Sequence, residues 1–190
     1  MTNKARIASD THHLGRVSTD TPRISPLLSA SAVAFLSLGI VTGLIEYLDR
    51  SPVRKVHAPG TSAWAPHLIE AAIACALYGV AWSRHRRRFG RGSGRRLLLA
   101  PLGATAASRL LATMRQASWR TVAALPPLAL IAYGFWRIGE QVTAGLDPNF
   151  TVNAWGGPTY LGAMACHYLD CLLIMAACAW LLDRILRTTP

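Results

Sequence analysis

Four stretches of the chain run almost without a polar interruption: 26–48, 63–82, 122–142 and 159–182. Each supplies the ~20 residues a helix needs to cross about 30 Å of hydrocarbon. Hydrocarbon offers backbone amides no water, so such segments close their hydrogen bonds as helices. The pattern predicts an all-α integral membrane protein, a bundle of four transmembrane helices. Pro126 and Pro127 predict a kink near the start of the third span.

The polar segments complete the outline. Residues 1–25 are polar and mixed in charge, the composition of a disordered tail ahead of a membrane domain over 26–190. The connection 83–121 contains RHRRRFGRGSGRR and further arginines at 109, 115 and 120, with no acidic residue. Arginine excess marks the cytoplasmic side. A multi-pass protein of the cell membrane follows, with both termini cytoplasmic and the loops 49–62 and 143–158 outside. Within the basic connection, residues 96–118 are apolar but broken by Pro101, Gly103 and arginines. They predict an interfacial or re-entrant helix on the cytoplasmic face. A fifth span there would upset the topology.

Composition agrees with the pattern. Hydrophobic residues make up 52%, charged residues 15%, and mean hydropathy is +0.28. The net charge of +11 sits largely between the spans, where topology accounts for it, so nucleic acid is not the expected partner. Cys75, Cys166, Cys171 and Cys178 lie in apolar stretches without a Cys-x-x-Cys pair. That argues against a disulfide scaffold, a zinc knuckle or a thiol-redox enzyme, and in favour of small buried hydrophobes.

A repeat carries the candidate chemistry. The first span ends in GLIEYLD, with Glu46; after a loop comes AWAPHLIEAAIACALYGVAW, with His67 and Glu70. The third ends in FWRIGEQV, with Glu140; after a loop comes NAWGGPTYLGAMACHYLDCLLIMAACAW, with His167 and Asp170. The shared order (Glu, loop, Ala-Trp, Pro, His-x-x-acid, Ala-Cys) suggests two duplicated helical hairpins. Small residues in the second and fourth spans predict that these two are adjacent, with His67 and His167 on facing surfaces.

These six ionisable groups fall in the outer half under that topology. A carboxylate in hydrocarbon costs roughly 2.5–3.5 kcal/mol on insertion scales, so such groups face the bundle interior and pair. Residues i and i+3 share a helix face, so His67/Glu70 and His167/Asp170 can each aim at one centre. The inventory of Glu46, His67/Glu70, Glu140 and His167/Asp170 parallels that of di-metal four-helix bundles, with the paired motif in reversed order. Imidazole with carboxylate suits Fe, Mn or Zn, with all six residues as candidate ligands. Asp170, His167, Glu70 and His67 are the candidate catalytic groups. Haem b between His67 and His167 would leave the carboxylates without a role. Depth strains a single level: Asp170 lies about 18 Å into the fourth span, Glu46 and Glu140 within about a turn of their helix ends. The last two also read as interfacial residues. Arg137 is a partner for Glu140 or for an anionic head group. Trp64, Trp136, Trp155 and Tyr160 read as an interfacial aromatic belt, and Trp155–Pro158 as a tight loop.

The function these residues predict is a membrane enzyme, metal-dependent or acid–base, acting on a lipidic or isoprenoid-like substrate. The alternatives are an accessory or assembly subunit of a membrane complex, and a small cation or proton transporter. Expected partners are the lipid bilayer and either a second copy or other membrane subunits. No Ser/His/Asp spacing, P-loop or GxGxxG supports a hydrolase or an ATP-driven activity.

Overall fold

A computed structural model of the chain describes residues 23–90 and 99–186. Most of the tail expected to be disordered, and part of the arginine run, lie outside them. The described residues form helices, with one isolated β-bridge between Ile24 and Gly103. The elements are α1 (Pro26–Leu48), α2 (Trp64–Phe89), α3 (Ala104–Arg115), α4 (Trp119–Ala144), the single-turn α5 (Pro148–Thr151) and α6 (Tyr160–Ile185). Helices α1, α2, α4 and α6 are long and apolar enough to cross a membrane. The protein is an all-α membrane bundle.

Local chemistry sets the helix ends. Ser25 caps α1 by accepting from the Leu28 amide at 3.4 Å, and Pro26 occupies the first turn, where its missing N–H is harmless. Thr159 caps α6 through the Gly162 amide at 3.2 Å. Helix α2 runs two turns past its apolar stretch, because its arginines are good helix formers near a negative helix end. Gly90, at φ 76°, terminates it. Helix α4 begins ahead of residue 122 and continues through Pro126 and Pro127 as one helix.

The centre of the bundle is α4, with α1 on one side and α6 on the other. Between α1 and α4 the backbones touch. A Cβ on Gly39 would collide with the Trp136 carbonyl, one on Gly43 with the Glu140 carbonyl, and one on Gly139 with the Leu36 carbonyl. Gly39 and Gly43 form a Gly-x-x-x-Gly stripe, which in lipid replaces the missing hydrophobic force with close van der Waals packing. Thr143 Oγ1 donates to the Ile40 carbonyl at 3.0 Å, and Trp136 Nε1 to Thr42 Oγ1 at 3.3 Å, across the same seam. Trp136 thus belongs to a helix interface rather than to a belt. On the α6 side, Gly134 makes room for Met175.

Helix α2 is peripheral. Its principal helix contact is with α6, and 6% of its span is buried, against 22% for α4. The adjacency of the second and fourth spans is thus present, but the two hairpins pack unequally: α4 lies along α6, whereas α1 does not lie along α2 to a comparable degree. Cys75 sits exposed on α2, contrary to the expectation of burial, while Cys166 and Cys178 are buried; all four cysteines are free.

At the opposite end from the candidate site, α3 braces the end of α6. At about 18 Å its length is too short to span a bilayer. Arg109 donates to the Asp183 carboxylate at 2.5 Å and to the carbonyls of Asp183 and Leu186 at 2.7 and 3.1 Å. Arg120 donates to the Ile185 carbonyl at 3.0 Å. These guanidinium groups satisfy carbonyls that the helix terminus leaves open. Leu110 and Met114 of α3 close a small core around Ala124, Leu182 and Leu186.

Gln141 of α4 is fully buried, and neither its side-chain oxygen nor its nitrogen has a hydrogen-bond partner. An unsatisfied buried amide carries a desolvation penalty of about 1–3 kcal/mol. Gln141→Met, close in shape and without polar atoms, is therefore expected to melt at or above the wild-type temperature in detergent. A clear drop in melting temperature would show that the amide has a partner.

Candidate functional site

A polar cap covers the site end of the bundle. The loop from residue 49 to 63 lies along residues 147–157, and two asparagines join them. Asn149 accepts from the Lys55 amide at 2.8 Å and donates to the carbonyls of Ser51 and Val53 at 3.2 and 2.9 Å. Asn153 accepts from the Ala58 amide at 2.8 Å. His57 Nδ1 bonds the Val152 carbonyl at 2.6 Å, and the Ala63 amide donates to the Trp155 carbonyl at 2.7 Å. Extended loop backbone thereby finds partners that no helix gives it. The last of these bonds fixes where α2 begins.

That start decides the depth of the chemistry. His67 stands about 5 Å into α2, whereas Asp170 stands about 15 Å into α6. The two meet because α6 starts roughly 10 Å further out, with its first turns beside the cap. Tyr160 Oη donates to the Val142 carbonyl at 3.1 Å, holding that projecting turn to the end of α4. The loop Trp155–Pro158 lies directly on α6. A Cβ on Gly156 would collide with the Gly162 carbonyl, one on Gly162 with the Gly156 carbonyl, and Gly157 has φ 83°. The glycines serve this backbone contact, which brings Trp155 over the site.

Three of the six sequence-derived residues converge. Ligand atoms of His67, Glu70 and Asp170 lie within 4.8 Å of one another. His67 is 6% exposed, Asp170 is half-buried, and Glu70 is exposed on the flank of α2. His67 Nδ1 faces the Ala63 carbonyl at 2.7 Å. A carbonyl can only accept, so the hydrogen is on Nδ1 and Nε2 is the nitrogen left for a ligand. Nε2 faces Asp170 Oδ2 at 3.5 Å. Two acceptor atoms at that separation call for a proton or a cation between them. Two fillings meet this need: a second ring proton, giving an imidazolium–carboxylate tie, or a metal ion. Ligands about 2.0–2.2 Å from a tetrahedral metal stand about 3.3 Å apart, close to the observed gap. Glu70, on a flexible side chain, completes a set of one nitrogen and two carboxylates with coordination positions to spare.

The other three stand apart from that group. His167 packs its ring against Trp155 at 6.3 Å between centroids, and His67 meets the same indole at 5.5 Å. The two histidines flank Trp155 rather than each other. Glu140 is buried and ion-paired with Arg137 one turn before it. Glu46, exposed on α1, interacts with Glu140. The Arg137 guanidinium lies over the Phe150 ring of α5, 5.6 Å from its centroid. Phe150, Lys55 and the two asparagines are site residues that sequence reasoning passed over, and Trp155, read as part of an aromatic belt, lines the cavity beside them. Their signal was weak: polar loop positions and a tryptophan before two glycines, each with an ordinary loop explanation. Compared with protein-family models, curated proteins and solved structures, the chain matches none.

Proposed function

We propose that the chain is a membrane enzyme whose His67–Glu70–Asp170 centre binds iron, manganese or zinc and acts on a lipid-borne substrate. The observation that carries this reading is the convergence of three acceptor groups from two helices, with the histidine tautomer set by the Ala63 carbonyl. A third carboxylate, Glu70, stands beside the His67–Asp170 pair, exposed on an apolar span where a charge is costly. One histidine and two carboxylates leave positions open for water or substrate, where a metal polarises a bond or lowers the pKa of bound water. The exposed flank at Glu70 suits entry from the lipid side.

The test is metal analysis of protein purified in mild detergent without added chelator. About one iron, manganese or zinc per chain is expected, lost on chelation. Protein that neither retains nor rebinds any of the three sinks the metal reading.

One observation favours a second reading, an assembly subunit: α2 leaves nearly all of its surface outside the bundle. A partner helix packing there would make the protein migrate as a stable larger complex in native membranes, and metal would be absent.

Orientation follows from the arginine excess, with the α3 side cytoplasmic and the polar cap outside. Val56 in the cap loop and Ser108 on α3 are both exposed. In intact cells, Val56→Cys is expected to react with an impermeant thiol reagent and Ser108→Cys only after permeabilisation. The reverse pattern inverts the topology.

A further inference from the structure

Beside the three-ligand group lies a cavity of about 290 Å³, lined by Lys55, Arg137, His167, Asn153, Trp155 and neighbouring cap residues. That is near the lower end of ligand cavities, which begin at about 300 Å³. It has room for a head group. Two cations, Lys55 from the loop and Arg137 from α4, line one space, and no carboxylate lines it among the described residues. Glu140 engages Arg137 through Nη1, and a guanidinium carries further donors on its other nitrogens. Lys55 has no ion-pair partner among the described residues. Arg137 is held by its side chain, and Lys55 by its backbone. Asn149 pins the backbone of Lys55, and Phe150 lies under Arg137. One carboxylate, Glu140, stands against two cations, so a net positive charge faces a partly desolvated space, and an anionic ligand balances it.

We propose that this cavity is an anion site that takes a phosphate ester, with Arg137 and Lys55 as its charge partners and Asn153 and His167 as polar neighbours. Where the proposed enzyme reading holds, the inference also names the substrate class: a lipid carrying a phosphate-bearing head group. The cavity and the three-ligand group share a wall. His167 and Asp170 are one turn apart on α6, and Trp155 contacts both His67 and His167. A phosphate held by Arg137 and Lys55 therefore keeps the rest of its molecule next to the His67–Glu70–Asp170 centre.

The experiment is a titration of detergent-purified protein, followed by tryptophan fluorescence, because Trp155 lines the cavity. The probes are a short-chain phosphatidic acid, the diacylglycerol of the same chain length, and inorganic phosphate. Phosphatidic acid is expected to bind saturably, and the fluorescence response to vanish in Trp155→Phe. Lys55→Ala, at an exposed loop position, is expected to weaken binding roughly tenfold or more. Arg137→Lys retains the charge next to Glu140 but loses the fork, and is expected to weaken binding as well. Inorganic phosphate binding as tightly as phosphatidic acid would support the anion site and assign it to a free phosphate; much weaker binding would assign it to a lipid. Equal binding of diacylglycerol and phosphatidic acid, no saturable binding of either phosphate probe, or wild-type affinity in both variants would overturn the proposal. The same titration on chelator-treated protein separates the two readings. Binding that persists where no metal is ever found sinks the metal centre alone. Metal retained without phosphate binding sinks the anion site alone.

Discussion

Asp170→Asn is expected to abolish metal binding while leaving the bundle folded. The substitution keeps the shape of the side chain and removes one of two carboxylates from a three-ligand set. Loss of a group that merely supports a metal ligand lowers affinity about 10–100-fold, and loss of the ligand itself lowers it further. Stability follows a different logic. Asp170 joins α6 to α2, and α2 is peripheral to the α1–α4–α6 packing. Asp170 is also half-buried, so its environment accepts an amide. The melting temperature should move by no more than about 3 °C. The structural alternative predicts the opposite. If Asp170 serves as the partner of an imidazolium, its removal breaks the tie and forces His67 to release its proton, a loss of stability that grows as pH falls below the ordinary histidine range. A melting curve and metal analysis on the same sample decide: metal lost with the fold intact supports the centre, and a poorly inserted, unstable variant reduces it to a helix tie. The structure gives Arg137 to Glu140, and Asp170 to His67.

Gly43→Val is expected to unfold the bundle, and Gly39→Val to do nearly the same. The Cβ alone would overlap a backbone carbonyl of α4 at either position, and backbone cannot rotate aside as a side chain does. The helices must separate instead, and the Thr143–Ile40 and Trp136–Thr42 hydrogen bonds part with them. Overpacking typically costs 1–3 kcal/mol, and more than about 3 kcal/mol is expected where two backbones are already in contact. Gly79→Ala is the control. It lies in α2 with nothing within 4 Å of an added Cβ, so the change should be neutral or stabilise by up to about 1 kcal/mol through helix propensity. Unfolding in mixed micelles, followed by circular dichroism, measures all three. A Gly43→Val protein that unfolds with wild-type Gly43 behaviour would mean that α1 and α4 do not share this seam.

How much of this was legible beforehand depends on the range of the forces involved. The four spans were readable because a run of ~20 apolar residues and the closure of backbone hydrogen bonds in lipid are local properties. The Arg137–Glu140 pair was legible for the same reason: three residues apart on a helix is a spacing, not a tertiary fact. So was the grouping of His67 with Glu70; His167 and Asp170, read as aiming at one centre, go to different neighbours, Trp155 and His67. The extension of α2 through its arginines was missed because hydropathy marks where a helix meets lipid, not where it ends.

What the sequence could not contain was the relative height and rotation of the helices. The repeat made six groups look equivalent. Their equivalence was broken by the axial offset of α6 from α2, which places His67 level with Asp170 and leaves His167 against Trp155. That offset is set by contacts between residues far apart in the chain: the Ala63–Trp155 backbone bond, Asn149 and Asn153 gripping the opposite loop, and Gly156 lying on Gly162. The role of Gly39 and Gly43 was missed, because their partner, the carbonyls of α4, has no side chain to leave a mark in the sequence. The residues alone determined a four-helix membrane protein with histidines and carboxylates at one end. Which of those groups meet, and which cations face a shared cavity, was decided by long-range contacts of loop backbone, asparagine and glycine, whose register depends on how distant segments fit together.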